Sequence, residues 1–373
     1  MLSEVRTIAV LRASGIGDLV FALPALDALR AAYPDAEITM IGRPMHAEIL
    51  ESRPSAVDRV IAEAGPFIGD EPEPAGLEET RRALIARLRR ESWDLAVQLH
   101  GGGRNSNPLV AALGARLTVG ARSPDAAPLD RTVPYVYWQH EIHRNLEVVA
   151  LAGAEPVTIE PRLAPTPADR RVADAALTEA GVPEDAPLAV LHPGASDPRR
   201  RWPARSFAGV GDGLADRGLQ VVVTGSDGEV GLATEVVGAM AGSGAVAVAG
   251  RIGLAGLLGV LARAAVVVAN DTGPLHLASA LGTPSVGIFW CGNLINAGPP
   301  FRARHRPLLS WRLDCPVCGL DCTRGRCAHD DSFVADVPVA SVVEAARELL
   351  DGRLSTVPGR APAPAEAAPL TAA

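Results

Sequence analysis

Short apolar runs alternate with segments of helical spacing, and the alternation runs twice along the chain. The first pass has apolar runs at residues 7–11, 37–41 and 95–99, with helical periodicity over 19–32, 77–90 and 146–151. A Pro-rich stretch without periodicity, residues 154–169, then breaks the pattern as a linker would. The second pass restarts with runs at 188–191, 220–224, 246–248, 266–269 and 285–289, helical segments at 206–216 and 254–262, and a last helix at 339–351. Strands separated by helices build parallel sheets through right-handed crossovers. The expected fold is therefore α/β, with two Rossmann-like domains whose parallel sheets face a central cleft. The expected division is an N-terminal domain over 1–160, a C-terminal domain over 161–338, a C-terminal helix over 339–355 and a disordered Pro/Ala-rich tail over 356–373. Residues 66–76, rich in Pro, Gly and acid, read as a surface loop.

Composition agrees with layers of this kind. Of 373 residues 48% are hydrophobic but only 4% aromatic, so Ala, Val and Leu must fill two cores. Every basic residue is Arg, which excludes a P-loop lysine and a Schiff-base lysine. A formal charge of -8 argues against a nucleic-acid partner. The N-terminal apolar run is too short for a signal peptide, and no stretch approaches the roughly 20 apolar residues that span a bilayer. A cytoplasmic protein is expected, with peripheral contact at the inner membrane face through an Arg patch left open.

Three loops carry chemistry. The first, Arg12-Ala-Ser-Gly-Ile-Gly-Asp18, joins the first run to its helix; Gly15 and Gly17 permit a tight turn at a helix N-terminus. It is not a complete dinucleotide fingerprint, because Val20 stands at the third glycine. Two roles are open to Asp18: a helix cap, or a base taking a proton from an attacking hydroxyl. The second loop, 192–203, bends at Pro193 and Gly194, offers the Ser196 hydroxyl and carries Arg199, Arg200 and Arg201, anchored by Trp202. These arginines either bind phosphate or form a solvated surface run. The third, Ala269-Asn-Asp-Thr-Gly-Pro-Leu-His276, ends a buried Val run and starts a helix near Pro274. Amides of Thr272 and Gly273 would face the cleft as an anion site. Asp271 would organise the loop or bond sugar hydroxyls, and His276 would reach a phosphate or pack in the core. Glu229, in Thr224-Gly-Ser-Asp-Gly-Glu, either accepts ribose hydroxyls or merely starts a helix.

The motifs GIGDLVFALPAL, HPGAS…RRRWP, VTGSDGE and NDTGPLHLASALGTPSVGIF resemble those of the heptosyltransferase-like glycosyltransferases, family nine, in order and spacing from about residue 7 to 350. The resemblance implies a GT-B fold and an inverting mechanism with no cofactor or metal required for catalysis. It puts the general base on Asp18 and donor contacts on Ser196, Arg200, Glu229, Asp271, Thr272, Gly273 and His276. It implies a nucleotide-sugar donor, ADP-heptose by family, and a glycan or small-molecule acceptor, with lipopolysaccharide core the family's best-known case. Gly17 and Arg104 are the expected acceptor contacts; a plain surface role is equally open to Arg104. His140, His143 and Arg144 precede a helix and are further candidates to approach the cleft. The family usually has Lys where this chain has Arg200, a point charge in place of a planar fork. Two alternatives stand beside transfer: a sugar-nucleotide hydrolase or epimerase on the same fold, and a non-catalytic nucleotide-sugar-binding or interaction protein.

Cys315, Cys318, Cys322 and Cys327 are spaced as C-x2-C-x3-C-x4-C, with His329 close by. The spacing approaches a structural zinc knuckle; free thiols or a disulfide are the other outcomes. Following the last strand, the segment is expected to lie away from the three phosphate loops.

Overall fold

The computed structural model describes residues 4–51, 53–63, 77–242 and 244–352, so the loop expected at 66–76 and the tail at 356–373 lie outside the described residues. One all-parallel sheet holds β1 (Thr7–Leu11), β2 (Glu37–Ile41), β3 (Arg59–Ile61), β4 (Leu95–Gln98), β5 (Leu117–Arg122) and β6 (Arg131–Pro134), in the order β3-β2-β1-β4-β5-β6. A second all-parallel sheet holds β7 (Leu188–His192), β8 (Gln220–Val223), β9 (Val246–Ala247), β10 (Ala264–Asn270), β11 (Ser285–Trp290) and β12 (His305–Ser310), in the order β12-β11-β10-β7-β8-β9. Counted from its own first strand, each sheet has the same 3-2-1-4-5-6 order. The doubled sequence pattern is thus a doubled Rossmann-like topology.

Helices cover both faces: α1 (Ile16–Ala32), α2 (Pro44–Leu50), α3 (Leu77–Arg89), α4 (Ser106–Ala112) and α5 (Glu141–Ala150) with the first sheet, and α6 (Pro167–Glu179), α7 (Ala204–Ala215), α8 (Val230–Ala239), α9 (Gly253–Arg263), α10 (Gly273–Ala280), α11 (Cys291–Ala297) and α12 (Val339–Leu350) with the second. The buried clusters are aliphatic, as the composition requires: one holds Ile8, Val10 and Leu19 and continues through Leu188, Val190 and Val267 of the second unit, a second holds Leu191, Val210, Val268 and Ile288, and a third holds Leu11, Ile41 and Leu88. The Pro-rich linker ends inside α6. Thr166 and Asp169 form a reciprocal cap there, with Thr166 Oγ1 accepting from the Asp169 amide at 3.1 Å and Asp169 Oδ2 accepting from the Thr166 amide at 2.8 Å. Asp169 also meets Arg53 of the first unit in a buried ion pair at 3.1 Å. No described helix is long and apolar enough to cross a membrane.

The topology fixes where a ligand can sit. In each sheet the strand order reverses between the first and fourth strands, and the loops leaving them diverge into a crevice. Those strands are β1 and β4 in one sheet, β7 and β10 in the other. Helix α1 packs against α5 and also against α10 of the opposite unit, which brings the two crevices together.

Candidate active site

The loop after β1 delivers a buried cation and a partly exposed carboxylate. Arg12 is only 2% exposed; one guanidinium nitrogen donates to Asp18 Oδ1 at 2.7 Å and to Glu141 Oε2 at 3.3 Å, and the other to the carbonyl of Leu99. Glu141 in turn accepts from Arg144, whose guanidinium also donates to the Val136 carbonyl at 2.6 Å and lies 4.5 Å from the centre of the Tyr135 ring. Two buried guanidiniums therefore face two carboxylates. Burial pulls the Arg12 pKa below its usual value, and the charge of Asp18 pulls it back up. Asp18 Oδ2 accepts from the Gly15 amide at 3.1 Å at the start of α1, so one oxygen caps the helix while the side chain stays 39% exposed. Capping and chemistry are thus compatible in the same carboxylate.

The opposite wall is built around Asp271. Three elements converge on this buried carboxylate: His276 of α10 donates to Oδ1 at 3.1 Å, while Arg200 and Asn293 donate to Oδ2 at 3.1 and 2.7 Å. Burial alone raises its pKa, but these bonds outweigh burial and hold it below the ordinary carboxylate range. Arg200, in the 3-10 turn Pro198–Arg200, also donates to Ser196 Oγ at 3.1 Å. Asn270 ties this loop to its neighbour, accepting from the Trp202 amide at 3.0 Å and donating to the Pro193 carbonyl at 2.7 Å. Trp202 is buried, its indole N–H donating to the Val337 carbonyl at 3.1 Å. Thr272 is the N-cap of α10 and Gly273 its first residue, so the Thr272 and Gly273 amides have no intrahelical acceptor, while Leu275 already donates to the Thr272 carbonyl at 3.0 Å.

The two helix starts meet. A Cβ on Gly17 would fall 2.7 Å from the His276 ring, and one on Gly273 would fall 2.9 Å from Ile16 Cβ. Only glycine allows this approach, which sets Asp18 one residue from the contact with the Asp271 network. Phe21 stacks edge-on against His276 at 4.6 Å and against His140 at 5.7 Å. His140 Nε2–H donates to the Gly298 carbonyl at 2.7 Å and its Nδ1 accepts from the Ile142 amide, so the ring is neutral, consistent with the downward shift that burial gives it.

Beside this junction a cavity of about 390 Å³ is lined by Ile16, His192, Ser226, Glu229, Leu254 and Thr272. Glu229 Oε2 accepts from the amide and hydroxyl of Ser226, both at 2.8 Å, and Oε1 lies so near Gly194 that a Cβ there would be 1.9 Å away. Burial pushes His192 down to about 4, against the pull of Glu229, so it is neutral at ordinary pH.

Sequence reasoning brought together Gly17, Asp18, Ser196, Arg200, Asp271, Thr272, Gly273 and His276, and all lie at this junction, with Glu229 on the cavity wall. Arg104 shares none of these contacts: it pairs with Asp125 at 3.5 Å and its side chain is 75% exposed. Roles for Arg12, Glu141 and Asn293 were missed. An Arg closing an apolar strand was the one visible signal, while Glu141 and Asn293 come from distant helices.

The Cys segment corrects two expectations. Cys315, Cys318, Cys327 and His329 gather with ligand atoms within 4.8 Å of one another, while Cys322 is outside that set and donates to the Leu320 carbonyl at 3.3 Å. The segment also reaches the loop over 192–203, since the Phe333 amide donates to the Arg199 carbonyl at 2.7 Å and Ser332 Oγ to the Arg201 carbonyl at 2.6 Å. Beyond this segment α12 packs on α7, the helix that follows the same loop.

Comparison with known proteins places this architecture. Residues 81–309 match the model of glycosyltransferase family 9 (heptosyltransferase). Lipopolysaccharide heptosyltransferase 3 of Escherichia coli is 24% identical over 356 residues, covering 90% of this chain and 96% of the relative. The family 9 glycosyl transferase of Veillonella parvula superposes with a TM-score of 0.76 at 20% identity, covering 94% of this chain and 98% of that one. The E. coli heptosyltransferase WaaC with ADP superposes with a TM-score of 0.64 at 23% identity, covering 82% and 93%. Paired GT-B sheets with the junction between their crevices, and a family match over more than half the chain, lead to one conclusion: the chain belongs to glycosyltransferase family 9 and is a glycosyltransferase.

Proposed function

We propose that the protein is an inverting transferase that moves a heptose from ADP-heptose to a hydroxyl of a glycan acceptor, lipopolysaccharide core being the acceptor class suggested by its relatives' names. The observation that carries this reading is the junction itself. An exposed carboxylate, Asp18, stands one residue from Gly17, which packs on the His276 ring of the opposite wall.

In this mechanism residues up to about 160 hold the acceptor, with Gly17 and Arg104 lining its side, and residues 161–338 hold the donor. The diphosphate lies between Arg200 and the start of α10, near Ser196, Thr272, Gly273 and His276. The nucleoside occupies the 390 Å³ cavity, where Glu229 accepts from ribose hydroxyls. Asp18 takes the proton of the acceptor hydroxyl as its oxygen attacks the anomeric carbon. The bond from that carbon to the phosphate oxygen breaks on the opposite face, inverting the configuration. Negative charge developing on the departing diphosphate meets the Arg200 guanidinium and the α10 amides. Asp271 holds Arg200 and His276 in place for this task. ADP in a solved relative supports the adenine nucleotide.

Calorimetric titration with ADP, UDP and GDP, repeated with Arg200→Ala, tests the donor side. Selective ADP binding that weakens at least about tenfold in the variant, the effect of one lost charge-assisted bond, is expected. Preference for UDP or GDP would discard ADP-heptose, and binding of none would discard the donor site.

We also read the Cys/His cluster as a structural metal site. Three Cys sulfurs and one imidazole nitrogen make a donor set suited to Zn²⁺. Backbone N–H groups of Cys318 and Val317 pull the Cys315 thiol down to about 6, toward the thiolate a metal requires. The segment has little else to hold it: Trp311, Leu313, Val317 and Leu320 are all exposed, and its one bridge pairs Asp314 with Asp321. No catalytic step is assigned to this metal.

A further inference from the structure

We propose that the metal knuckle is a strap that positions the donor-phosphate loop, so that losing the metal weakens nucleotide binding without unfolding the domain around it. The inference rests on the structural-metal reading above and adds a function to it.

The loop that carries Arg200 has few bonds of its own: Asp197 accepts from the Arg199 amide and guanidinium, and Arg201 donates to the Ala195 carbonyl. It is a single 3-10 turn, Pro198–Arg200, with internal backbone bonds only from Arg200 to Asp197 and from Arg201 to Pro198, both at 3.0 Å. Short 3-10 turns take their conformation from outside contacts. Here Asn270 holds the two ends of the loop, at Pro193 and Trp202, and the turn itself is held by the residues that follow the last two ligands, Cys327 and His329. Ser332 and Phe333 tie down the carbonyls of Arg201 and Arg199, on either side of Arg200, at 2.6 and 2.7 Å. The buried Phe333 ring lies 5.1 Å from the Arg199 guanidinium on one side and 5.6 Å from Trp290 on the other. Arg326, next to Cys327, stands 3.9 Å from the Asp197 carboxylate, whose other partner is Arg199.

The covalent path from metal to loop is short. His329 is four residues from Phe333, whose amide donates a hydrogen bond to the carbonyl of Arg199, the residue before Arg200. A bound metal fixes the start of that path, as second-shell contacts fix the ligands around a metal. Without it, 315–329 has no apolar core to hold its shape, and Ser332 and Phe333 are held from one side only, by Val334 and Val337 in the core. Arg200 then loses the fixed backbone that aims its guanidinium between Asp271 and the cleft.

The test uses the full-length protein loaded with Zn²⁺, with metal content by atomic absorption and Co²⁺ substitution followed by thiolate charge-transfer absorption. ADP affinity is measured by calorimetry on the loaded protein, on protein stripped with chelator, and on Cys327→Ser and Phe333→Ala; far-UV circular dichroism monitors the fold. One metal per chain is expected. Stripping and Cys327→Ser should each weaken ADP binding roughly tenfold or more, on the scale of one misplaced charge-assisted bond, with the dichroism retained and the affinity of stripped protein restored by Zn²⁺. Phe333→Ala should keep its metal and lose comparable affinity. Full metal occupancy with ADP affinity unchanged by stripping, or unchanged by Phe333→Ala, overturns the strap and leaves the metal site standing. Absence of metal and of the Co²⁺ signal overturns the metal reading and the strap with it. Loaded protein that binds none of ADP, UDP and GDP overturns the donor loop on which the strap acts.

Discussion

Replacing Arg12 with Met removes the cation that joins Asp18 to Glu141, and the structure sets the size of the effect. Arg12 is 2% exposed and Glu141 15%, so their pair at 3.3 Å is shielded from water, whereas Asp18 is 39% exposed. Breaking a buried pair destabilises by about 3–5 kcal/mol because the remaining charge is uncompensated. An exposed partner contributes only about 0–1 kcal/mol. Asp18 can turn to solvent and Glu141 keeps Arg144, so the expected loss lies near the lower end, about 3 kcal/mol. Arg12→Met/Glu141→Gln restores the balance with Arg144 facing Asp18, and should recover at least about 1 kcal/mol, the coupling typical of residues in one network. Turnover should not recover with it, because Asp18 Oδ1 still lacks the guanidinium that aims it. Urea unfolding of wild type, both single variants and the double variant gives the coupling, and steady-state kinetics give the split between kcat and KM. A single variant costing under about 1 kcal/mol, or a double variant whose loss is the sum of the singles, would refute the buried network.

Two further perturbations probe the junction and the cores. Gly273→Val puts branched carbon where even a single Cβ would lie 2.9 Å from Ile16 Cβ. It should lower kcat/KM at least about tenfold by forcing the helix starts apart, with an overpacking penalty of about 1–3 kcal/mol in stability; wild-type kinetics would contradict the contact. His46, His192 and His305 are pushed down to about 4, chiefly by burial, whereas the unfolded chain binds their protons near 6.5. Their folded values are depressed, so the unfolded state holds more protons between these limits and stability falls as the pH falls from 6.5 to 4. Near pH 5 unfolding should take up about three protons from these rings. The slope of unfolding free energy against pH measures this, and a flat profile would show the imidazoles are not held neutral.

The sheets' central strands were legible because they are Val-, Ile- and Ala-rich runs that end in glycine turns. The missed strands have physical reasons. In β12 the run HRPLLS contains Pro307, which an edge strand tolerates because it need not donate on both sides. In β5, Gly120 interrupts the run, yet a Cβ there would lie 2.8 Å from both Gln98 Cβ and Leu129 Cδ1, so packing demands it. The start of α6 passed for linker because Thr166-Pro167 is both a Pro-rich ending and a cap. At the site, residues on strand-end loops could be read because each follows a visible strand. The Arg12–Glu141 pair spans 129 positions and leaves no local pattern. The choice of His329 over Cys322 was equally hidden, since ligand spacing along a loop does not state which atoms the turn gathers.

Asp18→Asn is the most direct test of the central claim, measured as turnover with an ADP-heptose donor alongside donor affinity by calorimetry. Asn keeps the size and one cap acceptor but cannot take a proton. The account predicts turnover reduced by about 10²–10⁴-fold, the range of general base catalysis, with ADP affinity within about twofold of wild type, a difference of under 0.5 kcal/mol. Turnover near wild type, or a collapse of donor affinity in step with turnover, would contradict the assignment of Asp18 as the base.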